Sequence, residues 1–164
     1  MRKFIFTSTL LFSAVACATA PASRPAPGTG AASSGASGAL APRLAVVAFL
    51  DAVRVEDIQA MGALFGTSRG ALRDAISTSD RAAANQLEQR LIIMQCYLAH
   101  DSYRILGESP GEGSSRMVRV ELTRGTMKRQ PALFAIPGPG GRWYVENVEL
   151  AAVRDFCGLP APTP

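Results

Sequence analysis

A chain of 164 residues, 48% of them hydrophobic, with a formal charge of +4, has room for one domain of ordinary size once leader and linker are set aside. Arg2 and Lys3 belong to the leader, so beyond it 15 basic residues face 13 acidic ones, and Arg116, Arg119, Arg124, Lys128, Arg129 and Arg142 alternate with Glu112, Glu121 and Glu146. That mixture predicts a solvated sheet surface and excludes the one-signed, aromatic-laced stripe of a nucleic-acid binder.

Residues 1–16 read as a secretory leader, with Arg2 and Lys3 as the positive start and Phe4 to Val15 as the apolar stretch. The stretch falls short of the roughly 20 apolar residues that span a bilayer, which predicts its removal. Ala14-Val15-Ala16-Cys17 resembles the lipobox of bacterial lipoproteins, although Ala14 stands where that pattern most often has Leu. The resemblance implies diacylation of the Cys17 thiol and cleavage before it. It also implies retention in the cell envelope, at the outer membrane facing the periplasm, because Ala18 rather than Asp follows the cysteine. A competing cut after Ala18-Thr19-Ala20 would put Pro21 directly behind the scissile bond, and Cys17 would then be a chance leader cysteine. Apart from Arg24 and Leu40, residues 18–42 are Ala, Ser, Gly, Pro or Thr. With so little apolar area to offset its ordering entropy, this stretch is expected to be a disordered tether. Such a chain reaches roughly 28 Å root-mean-square, enough to hold a domain clear of lipid headgroups.

The folded domain is expected over residues 43–158, followed by a disordered tail at 159–164. Leu44, Val47, Leu50 and Val53 form a helical stripe from Arg43 to about Val55, widened by Val46 and Phe49. Asp57 caps a short second helix that buries Ile58, Met61, Leu64 and Phe65 and stops at Gly66. From Thr67 to Thr78 the form stays open, with Leu72 and Ile76 as core contacts. Ser79 or Asp80 caps a long third helix carrying Leu87, Leu91, Met94 and Leu98 and ending near His100. The period then changes to two. Strands are predicted over Tyr103–Ser109, Arg116–Arg124, Thr126–Ile136 and Trp143–Leu150, with turns at Pro110–Gly113, Gly125 and Gly138–Gly141. Pro131 lacks a ladder donor, which places a bulge or a sheet edge in the third strand.

Helices followed by an antiparallel meander predict an α+β domain: N-terminal helices covering one face of a curved sheet of about four strands. Val46-Val47-Ala48-Phe49-Leu50-Asp51-Ala52-Val53, Asp57, Ala63-Leu64-Phe65 and the closing Gly141-Arg142-Trp143-Tyr144-Val145 resemble the nuclear transport factor two-like (NTF2-like, cystatin-like) superfamily, which includes ketosteroid isomerase and polyketide cyclases. The resemblance implies a cone-shaped sheet around a helix, often with a pocket, and no particular reaction.

With Cys17 assigned to lipid, Cys96 and Cys157 remain as an even pair in a compartment that tolerates disulfides, and a bridge between them is expected; the alternative is two buried thiols. One His and no Cys-x-x-Cys leave no tetrahedral ligand set, so no metal or other cofactor is expected. The conspicuous polar cluster is Tyr97, His100, Asp101, Tyr103 and Arg104. In an isomerase-like enzyme His100 or Asp101 would be the general base and Tyr97 or Tyr103 an oxyanion donor. Alternatively, His100 and Asp101 terminate the helix and the tyrosines pack with their hydroxyls outward. Trp143 is expected in core or pocket wall. The glycine-rich stretches 28–38 and 138–141 do not join a strand to a helix, so they make no phosphate loop, and Ser33, Ser34 and Ser37 lack triad partners. The favoured reading is a membrane-anchored envelope lipoprotein whose non-enzymatic domain binds a protein or a small apolar ligand. A pocket enzyme of the isomerase or cyclase type and a carrier of a hydrophobic ligand are the alternatives, and both need an open pocket.

Overall fold

A computed structural model describes residues 36–158. The leader, Cys17, the tether up to residue 35 and the tail at 159–164 lie outside the described residues. Helix α1 spans Pro42–Arg54 and α2 spans Ile58–Leu64. Proline suits the first turn of α1, where its missing N–H has no intrahelical partner to lose. The Asp57 carboxylate accepts from the Ala60 N–H at 2.9 Å and caps α2 as expected. The buried stripe of α1 is Val46, Phe49, Leu50 and Val53, whereas Leu44 is 52% exposed and Val47 only half-buried. The stripe therefore centres on the pair thought merely to widen it, because 46, 49, 50 and 53 recur at three, four and seven residues.

After α2 the chain forms a short hairpin, β1 (Gly66–Thr67) with β2 (Gly70–Ala71), then one helical turn, α3 (Leu72–Ala75). Gly66 does not act as a helix stop, since Phe65 ends α2 in an extended conformation. A side chain at Gly66 would meet the Gly70 carbonyl oxygen at 2.4 Å, so glycine there permits the close hairpin crossing. Helix α4 runs Arg81–Leu98, capped by Asp80, which accepts from the Ala83 N–H at 3.0 Å. It buries Leu91, Met94 and Leu98 and stops two residues short of His100.

The sheet is antiparallel and curved. It contains β3 (Ser102–Pro110), β4 (Arg116–Arg124), β5 (Met127–Arg129), β6 (Ala132–Pro137) and β7 (Trp143–Val148), in the order β3-β4-β6-β7 with β5 also beside β4. The α+β class and the helix-covered sheet are thus as expected, with five strands instead of about four. The extra strand arises at Pro131. Leu122 opposes Arg129 and Arg119 opposes Ala132, so β5 and β6 share one register across the break. The Val120 N–H donates to the Pro131 carbonyl at 3.1 Å, and the proline cannot return a bond. Beyond that point β7 no longer flanks β6, so β5 is an edge strand. Register shifts at Leu106 in β3 and Glu146 in β7 add curvature.

One face of the sheet, through Val118, Val120, Leu122, Leu133, Ala135 and Val145, packs against Val46, Phe49, Leu50 and Val53 of α1. Two ends of the domain extend this core beyond expectation. Residues 36–41, assigned to the tether by composition, are docked: the Gly38 N–H donates to Ala63, Ala39 pairs with Trp143, and the Arg142 guanidinium reaches the Ser37 carbonyl at 3.1 Å. Backbone hydrogen bonds to a sheet edge hold them, and these do not depend on side-chain hydrophobicity. At the other end, a 3-10 turn over Leu150–Val153 drops Val153 and Phe156 fully into the core.

Of the basic residues expected on a solvated sheet surface, Arg116 pairs with Glu108, Lys128 reaches Glu121, which Arg104 also reaches, and Arg129 bonds Asp155. Arg124 departs from that expectation. It is only 8% exposed and donates to the Phe156 carbonyl, a buried charge tied to the C-terminal turn.

Candidate functional site

Where α4 passes into β3, the backbone places His100 inside the domain, 2% exposed. Its Nδ1–H donates to the Leu98 carbonyl at 2.8 Å, and its buried Nε2 has no hydrogen-bond partner among the described residues. Burial is the main cause that pulls the imidazole below its ordinary value of 6.5; the Leu98 bond opposes it, Arg54 adds to it, and Asp51 and Asp101 oppose it. Tyr103, half-buried on β3, stands edge-on to His100 with ring centroids 5.4 Å apart and donates to Asp51 Oδ1 at 3.2 Å. Burial, the Asp51 charge and that hydrogen bond push the Tyr103 hydroxyl up to about 12.

The remaining members of the cluster diverge. Asp101 is exposed and accepts from the Gly125 N–H at 2.6 Å, clamping the turn after β4. Tyr97 packs half-buried against the core, and Arg104 lies on the outer sheet surface with Glu121. Trp143 packs half-buried against the core. The structure therefore gathers His100 and Tyr103, adds Asp51, and turns Arg104 to Glu121 and Asp101 to the Gly125 N–H. A general base must reach a substrate proton at hydrogen-bond distance, and a 2% exposed imidazole offers no such approach. Asp51 was legible only as a polar residue on an apolar helix; its role needed the packing of α1 on β3.

The buried His100 makes stability depend on pH in a definite direction. The unfolded chain takes up a proton near pH 6.5 while the folded chain resists it, so stability is full above that pH and falls as the pH drops towards the folded value. Urea midpoints measured between pH 7.5 and pH 5 should decline in the parent protein. With His100→Gln, which removes the only histidine, the decline across pH 6.5 should disappear; an unchanged decline would place its origin elsewhere.

Cys96 on α4 and Cys157 after the 3-10 turn form a disulfide, with Cα atoms 5.0 Å apart. Among the described residues, no group of three or more His, Cys, Asp and Glu side chains could hold a metal, and no helix is long and apolar enough to cross a membrane.

The space between α1 and the sheet is filled by side chains, with Phe49, Phe65, Leu50, Met61 and Leu133 essentially inaccessible. Open clefts occur instead on both flanks of α4. One, about 280 Å³, lies against the end of β7 and is lined by Phe65, Arg90, Ile93, Met94, Val148 and Leu150, among others. The other, about 310 Å³, lies beside α2 and α3 and includes Gln59, Arg73, Ile76, Arg81, Glu88 and Leu91. Arg73 in this second cleft is already engaged by the Gln59 carbonyl, Asp74 and Ser37. The first cleft had a sequence signal that function-directed reading passed over: Gln86, Arg90 and Ile93 recur at four and three residues along one helical stripe.

No family model and no curated protein matches the chain. Among solved structures it is similar to a Campylobacter jejuni protein described as an NTF2-like transpeptidase, with a TM-score of 0.45 and 10% identity, covering 65% of this chain and 99% of that one. The activity in that description belongs to the Campylobacter protein.

Proposed function

We propose that this chain is an exported envelope lipoprotein, held to a membrane through Cys17, whose NTF2-like domain acts by binding and not by catalysis. The observation that carries the binding half is the fate of the polar cluster: His100 is sealed and tied to Leu98, Tyr103 is held protonated against Asp51, and Asp101 clamps a turn. The Cys96–Cys157 bridge supports the exported half, because disulfides persist in oxidising compartments and are rare in the cytosol. The open clefts beside α4 favour a ligand-carrying variant of the same reading over an enzyme, since the volume lies away from the titratable cluster.

The test is complementation of a deletion strain by a chain carrying Asp101→Asn and Tyr103→Phe together, alongside His100→Gln. Full rescue of whatever phenotype the deletion shows is expected from each, provided the protein accumulates normally. Loss of rescue by a well-folded, fully accumulated variant would return the cluster to catalysis.

A further inference from the structure

The cleft between α4 and the end of β7 combines an apolar wall with charge of a single sign, which its neighbour lacks. Its apolar wall meets solvent chiefly at Ile93, which is 54% exposed on α4, beside a partly exposed Leu150 and the nearly buried Phe65, Met94 and Val148. Its charge is also of one sign. Arg90 is the single charged residue lining it; Gln86, Gln89 and Asn147 complete the polar rim. The Arg90 guanidinium is stacked over the Phe65 ring, 4.8 Å from its centroid, and has no acidic partner among the described residues. A guanidinium held over an aromatic face can still offer its N–H groups to a planar carboxylate. Along α4 the lining changes from Gln86, Gln89 and Arg90 to Ile93 and Met94, so the cleft has a polar end and an apolar end.

We propose that this cleft binds one amphiphilic monoanion, an apolar chain ending in a single carboxylate, with Arg90 as its counter-ion and Ile93, Met94 and Leu150 around its chain. One cation in the lining matches one negative charge, and a volume of about 280 Å³, at the lower end of ligand sites, fits a medium-length chain and not a whole membrane lipid. The proposal rests on the binding reading above and gives it a ligand class.

The probe is decanoate below its micelle concentration, titrated into the mature protein with Ile and Met methyl groups labelled for NMR, with decanol as the uncharged control. Saturable shifts at Ile93 and Met94 are expected, with decanoate bound about fivefold more tightly than decanol, the scale of one partly exposed ion pair. Arg90→Gln, a change at an exposed position, should remove that preference while leaving decanol affinity unchanged. Absence of saturable shifts at Ile93 and Met94, equal affinity for acid and alcohol, or a preference that survives Arg90→Gln would each overturn the proposal. Any of these leaves the complementation result intact, so the two failures are distinguishable.

Discussion

Replacing Cys96 and Cys157 with serine will lower the unfolding free energy by about 4 kcal/mol, the chain-entropy value for a loop of this length. The bridge joins residues 61 apart in sequence, so the loss comes mainly from the greater freedom of the unfolded chain. It should appear as a drop in melting temperature on the order of 15 °C. The folded state contributes as well. Cys157 follows Phe156, which is fully buried, and the Phe156 carbonyl accepts from the largely buried Arg124. Without the bridge, the turn keeps the burial of Val153 and Phe156, the Arg124 bond and the Arg129–Asp155 pair, but loses its covalent link to α4. Urea unfolding of the parent and the double serine variant, both under oxidising conditions, is the measurement. The variant should show a lower midpoint and a steeper dependence on urea, because an unbridged chain exposes more surface on unfolding. Equal midpoints would mean that the bridge does not constrain the domain.

Much of this fold was legible in the sequence for identifiable reasons. The change of hydrophobic period after His100 marked the passage from helices to strands, and Asp57 and Asp80 announced two helix starts through capping that the structure contains at 2.9 and 3.0 Å. Both are local signals. Failures occurred where tertiary contacts decide. Ser37 to Ala41 have the composition of a tether, yet a sheet edge captures them through backbone groups, and Gly38 fits only because it has no side chain to meet the Tyr144 ring. Arg124 reads as one more basic residue on an alternating strand, yet it falls on the face that also carries Val118, Val120 and Leu122. Tyr97, His100, Asp101, Tyr103 and Arg104 looked like one cluster because they are neighbours in sequence. The helix end and the strand pleat send them in different directions, His100 inward and Arg104 to the opposite sheet face.

The second large effect expected is the loss of membrane attachment on Cys17→Ser. A single acyl chain holds a protein to a bilayer only marginally, with an association constant of about 10⁴ M⁻¹, and two or more chains make attachment stable. A diacylated and then N-acylated Cys17 meets that condition, and no described helix offers an alternative span. Serine has no thiol to receive the lipid, so lipidation and cleavage at this site should stop, and release to the soluble fraction follows once the leader is cut elsewhere.

The proposed anchor stands only if Cys17 carries lipid, and metabolic labelling with radioactive palmitate followed by fractionation asks this directly. The parent protein should be labelled and sediment with membranes, and Cys17→Ser should be unlabelled. A parent protein without label, or a Cys17→Ser variant that still takes up palmitate, would contradict the account.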